Sequence, residues 1–178
     1  MNTNDNDAPM STGDELCKKQ GIKFNVGPLA QWPDTTIKFL DAEEVRDVAK
    51  QIVDKWRPDL QNVNICYLFQ QKAPKNKGSI TLGSARAEPD MERTIHGFDA
   101  VIVIGFDMWI ASTNDQKARL CHHEISHVAR DLETGKIGTV EHSVMEFPEI
   151  IRVWGPGQDS HVQFLQAYEN FKKDNNIH

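Results

Sequence analysis

Residues 100–106 read AVIVIGF, and the first five are apolar without alternation. A strand formed here has two apolar faces to bury, which only a central strand covered on both sides can do. The run is also far shorter than the roughly 20 residues a helix needs to cross a bilayer. Whatever the chain folds into must therefore build a sheet around this segment and cover it.

Two further stretches have strand character. VNICYLF (63–69) is largely apolar and SITLGSA (79–85) alternates, so the latter reads as an edge. The loop QQKAPKNKG between them suggests that the two pair directly. Helical spacing appears at Val45, Val48, Ile52 and Trp56, after Asp41 and Glu44 in capping-box positions and before a stop at Arg57-Pro58. A longer helical pattern runs from about 114 to 131, another covers EFPEIIRVW up to Gly155-Pro156, and a last one spans about 160–172. Residues 1–20, rich in Asn, Asp, Ser, Thr and Gly, read as a flexible leader, with 21–178 as one domain.

Composition narrows the function classes. The net charge is −6, which opposes a general affinity for nucleic acid or anionic membrane. Lys55, Lys72, Lys75 and Lys77 read as a solvated spot. Three cysteines without a CxxC pair suggest neither a disulfide framework nor a cysteine zinc finger, and the first ten residues lack signal-peptide character, so the cytoplasm is the expected compartment.

The chemistry is concentrated in HHEISH, residues 122–127. His123 and His127 stand at i and i+4, so both imidazoles leave one helix face a turn apart and can converge on one ion. Glu124 sits beside the first of them, placed to act on a water as a general base. At about 100° per residue, Cys121, Ile125, Val128 and Leu132 form an apolar stripe nearly opposite the two histidines. His122 points elsewhere and reads as solvated or as an outer partner of the site, His96 as a structural hydrogen-bonding group, and Asp131 as a solvated acid one turn beyond His127.

A catalytic zinc needs a third protein ligand and an open fourth position. The segment TVEHSVMEF (139–147), after Gly135 and Gly138, can return His142 or Glu146 over the pair. Ser143 with Glu146 makes a helix-start signature that leaves His142 just outside the helix and favours it, with Glu146 as the alternative.

The stretches HGFDAVIVIGFDMW, QKARLCHHEISHV and VEHSVMEFPEIIRVWG, within roughly 36–155, resemble the Putative phage metallopeptidase family, itself similar to SprT-like zincins. The resemblance implies an α+β zincin-like fold, with a small, mainly antiparallel sheet, an HExxH helix and flanking helices. It further implies Zn2+ on His123, His127 and His142, Glu124 as general base, a role for Glu146, and a protein or peptide substrate hydrolysed in the host cytoplasm. A second reading stays open: a zincin-fold protein that binds and blocks a host factor, with zinc in a structural role and four protein ligands.

Overall fold

The computed structural model describes residues 14–29, 31–33, 36–76, 79–141 and 146–155. Helix α1 (Glu15–Gln20) precedes strand β1 (Phe39–Asp41), helix α2 (Glu43–Trp56) and a 3-10 turn (Pro58–Leu60). Strand β2 (Ile65–Gln70) leads to the short hairpin of β3 (Lys75–Asn76) and β4 (Ser79–Ile80), then strand β5 (Gly83–Ala87), helix α3 (Asp90–His96) and strand β6 (Ala100–Gly105). Helices α4 (Phe106–Ala111) and α5 (Asn114–His127), the hairpin of β7 (Val128–Arg130) and β8 (Ile137–Thr139), and helix α6 (Pro148–Trp154) follow. The helix expected at 160–172 lies outside the described residues, as do residues 1–13 of the expected leader.

The fold is α+β with a small mixed sheet in the order β1-β2-β6-β5. The doubly apolar segment takes an inner position, with Ala100, Ile102 and Ile104 almost wholly buried. Its pairing with β2 is parallel, from Ile65 opposite Ala100 to Gln70 opposite Gly105. The pairings of β1 with β2 and of β5 with β6 are antiparallel. The expected direct pairing of 63–69 with 79–85 does not form: β2 and β5 flank β6, which needs a neighbour on each side, and residues 79–80 belong to the separate β3–β4 hairpin. Only residues 83–85 of the alternating segment enter the main sheet, within β5, and they do so at its edge as expected.

Helix α2 buries Val45, Val48, Ala49 and Ile52 in the same core as Ala118, Cys121 and Ile125 of α5. The capping box expected at Asp41 and Glu44 is absent. Ala42 is the N-cap and gives no side-chain bond, and Asp41 instead pairs with Arg46. Glu44 points into the core, where Lys117 Nζ donates to it at 3.0 Å and Trp109 Nε1 at 2.9 Å. One buried carboxylate thus joins α2, α4 and α5, and its charge is both paired and hydrogen-bonded.

Residues 15–20, expected in the leader, form α1. Its first turn donates to Asp115 from Leu16 N at 3.0 Å and Cys17 N at 2.7 Å, and Cys17 is buried. The Lys55 amine donates to the Gln20 carbonyl and lies over the Trp56 ring.

Candidate metal centre

Helix α5 opens with a capping box. Thr113 N donates to Gln116 Oε1 at 2.9 Å, and Gln116 N donates to Thr113 Oγ1 at 3.3 Å, so two orphan donors are satisfied reciprocally. It ends at His127, four residues before the expected end at Asp131. The guanidinium of Arg57 reaches the carbonyls of Ile125 at 3.1 Å and Val128 at 2.8 Å, satisfying acceptors that a longer helix would have used itself. Asp59 holds that guanidinium with two bonds, and its carboxyl lies below the usual range chiefly because of them. Leu132 therefore leaves the apolar stripe and is 83% exposed. Asp131 lies off the helix, in the β7–β8 turn, where it accepts from the amides of Glu133 and Thr134.

The two motif histidines face one another, with Nε2 of His123 3.2 Å from Nε2 of His127. The opposite nitrogen of each ring is held by an acceptor. His127 Nδ1 donates to the Val140 carbonyl at 2.7 Å, and His123 Nδ1 donates to Glu146 Oε1. With Nδ1 carrying the hydrogen, the neutral form of each ring turns a lone pair toward the other, an arrangement that needs a proton or a cation between them. Two imidazole nitrogens 3.2 Å apart, each about 2.05 Å from one ion, subtend roughly 100° at it, close to the tetrahedral angle that zinc takes. An acceptor behind each ring is the usual support of a metal-ligating histidine. The donor set therefore fits a divalent cation, favoured further by the negative end of α5 at His127.

Glu146 uses both oxygens: Oε1 also accepts from Phe147 N at 3.0 Å, and Oε2 from Arg119 Nη2 at 3.2 Å. Burial works against a charge on either partner, but their mutual contact wins, raising the His123 imidazole and lowering the Glu146 carboxyl. Phe147 sets its ring edge-on to both imidazoles, at 5.6 Å from His123 and 4.9 Å from His127. His142 lies outside the described residues. Among the described residues no group of three His, Cys, Asp or Glu side chains could hold a metal.

Glu124 is buried, and its carboxyl is pushed up to about 7, mainly by burial. It lies against β5, where a Cβ built on Gly83 would stand 2.7 Å from Oε1. β5 ends the sheet, with the β7–β8 hairpin close by. Gly105 N donates to the Leu82 carbonyl and Glu88 N to that of Asp99, so alternation turns the backbones of Gly83, Ala85 and Ala87 away from β6. Among the described residues no strand pairs with that edge.

His122 corrects its expectation. It is neither solvated nor at the site, but fully buried, stacked on Trp56 at 5.0 Å, and accepts at Nδ1 from Trp154 Nε1 at 3.0 Å. Burial lowers it to about 4, so it serves as a neutral core group locking α6 onto α5. His96 does hold a structural contact, with Glu88 at 3.3 Å.

The model of the Putative phage metallopeptidase family matches residues 37–170, three quarters of the sequence and all of the site just described. The chain belongs to that family. No curated protein and no solved structure matches it. The family's name implies a metal and a protein or peptide substrate. No helix among the described residues is long and apolar enough to cross a membrane. Arg119, Val140, Phe147 and Gly83 were not singled out in the sequence. Only Arg119 carries a readable signal, its i−4 position relative to His123.

Proposed function

We propose that this protein is a zinc-dependent peptide-bond hydrolase, with His123, His127 and His142 holding Zn2+ and Glu124 acting as general base. The observation that carries it is the 3.2 Å approach of two Nε2 atoms whose Nδ1 partners are already fixed, beside a buried carboxylate. His142 is favoured as third ligand by its neighbours in the chain. Val140 is bonded to His127 through both its N–H and its carbonyl, and Glu146 to His123, so both ends of the short connection are tied to the histidine pair. His142 is two positions on from Val140, a span of about 7 Å at most. With its oxygens on His123, Phe147 and Arg119, Glu146 orients a ligand in place of being one, which weakens the reading of a closed four-ligand structural site.

When bound, zinc would polarise the scissile carbonyl and acidify a water. The chain's own groups do the rest. Glu124, held near 7 by burial, takes a proton from the attacking water and returns it to the leaving amine. The outward backbone of Gly83, Ala85 and Ala87 can hold an extended peptide as an added strand beside Glu124. Phe147 walls the imidazoles with apolar surface.

The test is metal analysis coupled to cleavage of a proteome-derived peptide library. Glu124→Gln should keep the zinc and lose hydrolysis, and His123→Ala should lose the zinc. Undiminished cleavage by a metal-loaded Glu124→Gln protein would end this reading.

A further inference from the structure

Arg119 stands one turn before His123 on α5 and so shares its face. Its guanidinium has two partners on the segment that follows the His142 connection: Nη1 donates to the Gly155 carbonyl and Nη2 to Glu146 Oε2 at 3.2 Å. The Arg119 and Glu146 side chains are only 15% and 7% exposed, so the contact is desolvated, unlike a surface ion pair. A planar fork is the group that can reach a carbonyl and a carboxylate together. The two contacts bracket α6 at Glu146 and Gly155, and Trp154 adds a third tie through His122.

The consequence concerns which atoms meet the ion. A carboxylate with one oxygen on His123 and the other unpaired could rotate its second oxygen onto the cation and become a ligand. Arg119 occupies that second oxygen. We propose that Arg119 is a positioning residue of the metal centre, fixing the Glu146 carboxylate so that it orients His123 Nε2 toward the ion and stays outside the coordination sphere. This rests on the zinc reading above and adds to it a residue that touches neither ion nor substrate.

The experiment is a double-mutant cycle on zinc affinity, measured on the full chain by chelator competition, with the Co2+-loaded absorption spectrum as a report of ligand set. Arg119→Met should weaken zinc binding about 10- to 100-fold, the usual scale for lost outer support of a ligand. It should also alter the Co2+ spectrum. In a Glu146→Gln background the same substitution should change affinity less than twofold, because the carboxylate it steered is gone. A purely structural role, through Gly155 alone, would lower folding stability equally in both backgrounds and leave the Co2+ spectrum unchanged. Should Arg119→Met fail to fold, Arg119→Lys keeps the charge without the fork and should still weaken zinc binding at least threefold. Parental affinity and spectrum in the folded Arg119 variant, or equal losses in both backgrounds, overturn the inference while the zinc centre stands. A parent protein that binds no zinc overturns both.

Discussion

Gly83→Ala tests how tightly the edge strand fixes the proposed base. The added Cβ would lie 2.7 Å from Glu124 Oε1, 2.8 Å from its Cδ and 2.8 Å from Ile104 Cδ1. Comfortable contacts of this kind are about 3.5 Å or more, so something must move by roughly 0.7 Å. Ile104 is fully buried and stands opposite Gly83 in the β5–β6 register, with little room to retreat. The Glu124 carboxylate is therefore the group displaced. Overpacking of this size costs about 1–3 kcal/mol of folding stability. A base moved by most of an ångström loses about 100-fold in rate. The atoms nearest the new methyl belong to Glu124 and Ile104 and to neither His123 nor His127, so zinc content should stay at the parent level. Urea unfolding of the metal-free protein, metal analysis, and cleavage kinetics separate these effects, with kcat falling more than KM changes. A variant with parental stability and parental kcat would refute the close approach of β5 to Glu124 and its role in placing the base.

Two further outcomes follow from buried charges. Burial raises the Glu124 carboxyl from 4.5 to about 7, so the folded, metal-free protein holds this proton more tightly than the unfolded chain does. Ionising it costs stability that accumulates as pH rises from about 4.5 to 7 and reaches about 3 kcal/mol above that. Glu124→Gln should then stabilise the metal-free protein in urea unfolding at pH 8, with the gain about 2 kcal/mol smaller at pH 5. A pH-independent difference would refute the raised value. Lys117→Met strands the buried Glu44 carboxylate with Trp109 as its remaining donor, and should destabilise by about 3–5 kcal/mol. The Glu44→Met/Lys117→Met protein should recover most of that loss in the same denaturation assay, and an additive loss would contradict a coupled pair.

How much of this was legible depends on how far each cause lies from its effect in the chain. AVIVIGF could be placed inside the sheet because its two apolar faces are a local property. Its neighbours could not be assigned the same way: apolar alternation marks 79–85 as an edge without saying against what. The end of α5 was misplaced because Leu132 continues the helical spacing, while the group that closes the helix is Arg57, 68 residues from Ile125. His122 was misread for a similar reason, since Trp56 and Trp154, which enclose it, come from distant helices. His123 and His127 were readable as a pair because one helix turn sets their spacing. Their tautomers were not, because Val140 and Glu146 set those from outside the helix.

That division bears on what an HExxH motif can do by itself. A helix fixes where two imidazoles begin, but leaves each ring free to turn about its χ angles. Here the turning is removed by the chain that follows. The β7–β8 register, Val128 opposite Thr139, extended by one step brings Val140 beside His127, and a one-residue slip would take the carbonyl away from the ring. Asp131, in accepting from Glu133 and Thr134, and Gly135, at φ +70°, hold the turn that sets this register. At the other end, Glu146 fixes His123 only because α6 is docked by Trp154 and Arg119. The imidazole pair is thus assembled by tertiary packing on both sides of residues 142–145, so any ion it holds is coupled to the folding of this whole C-terminal face and not to helix α5 alone.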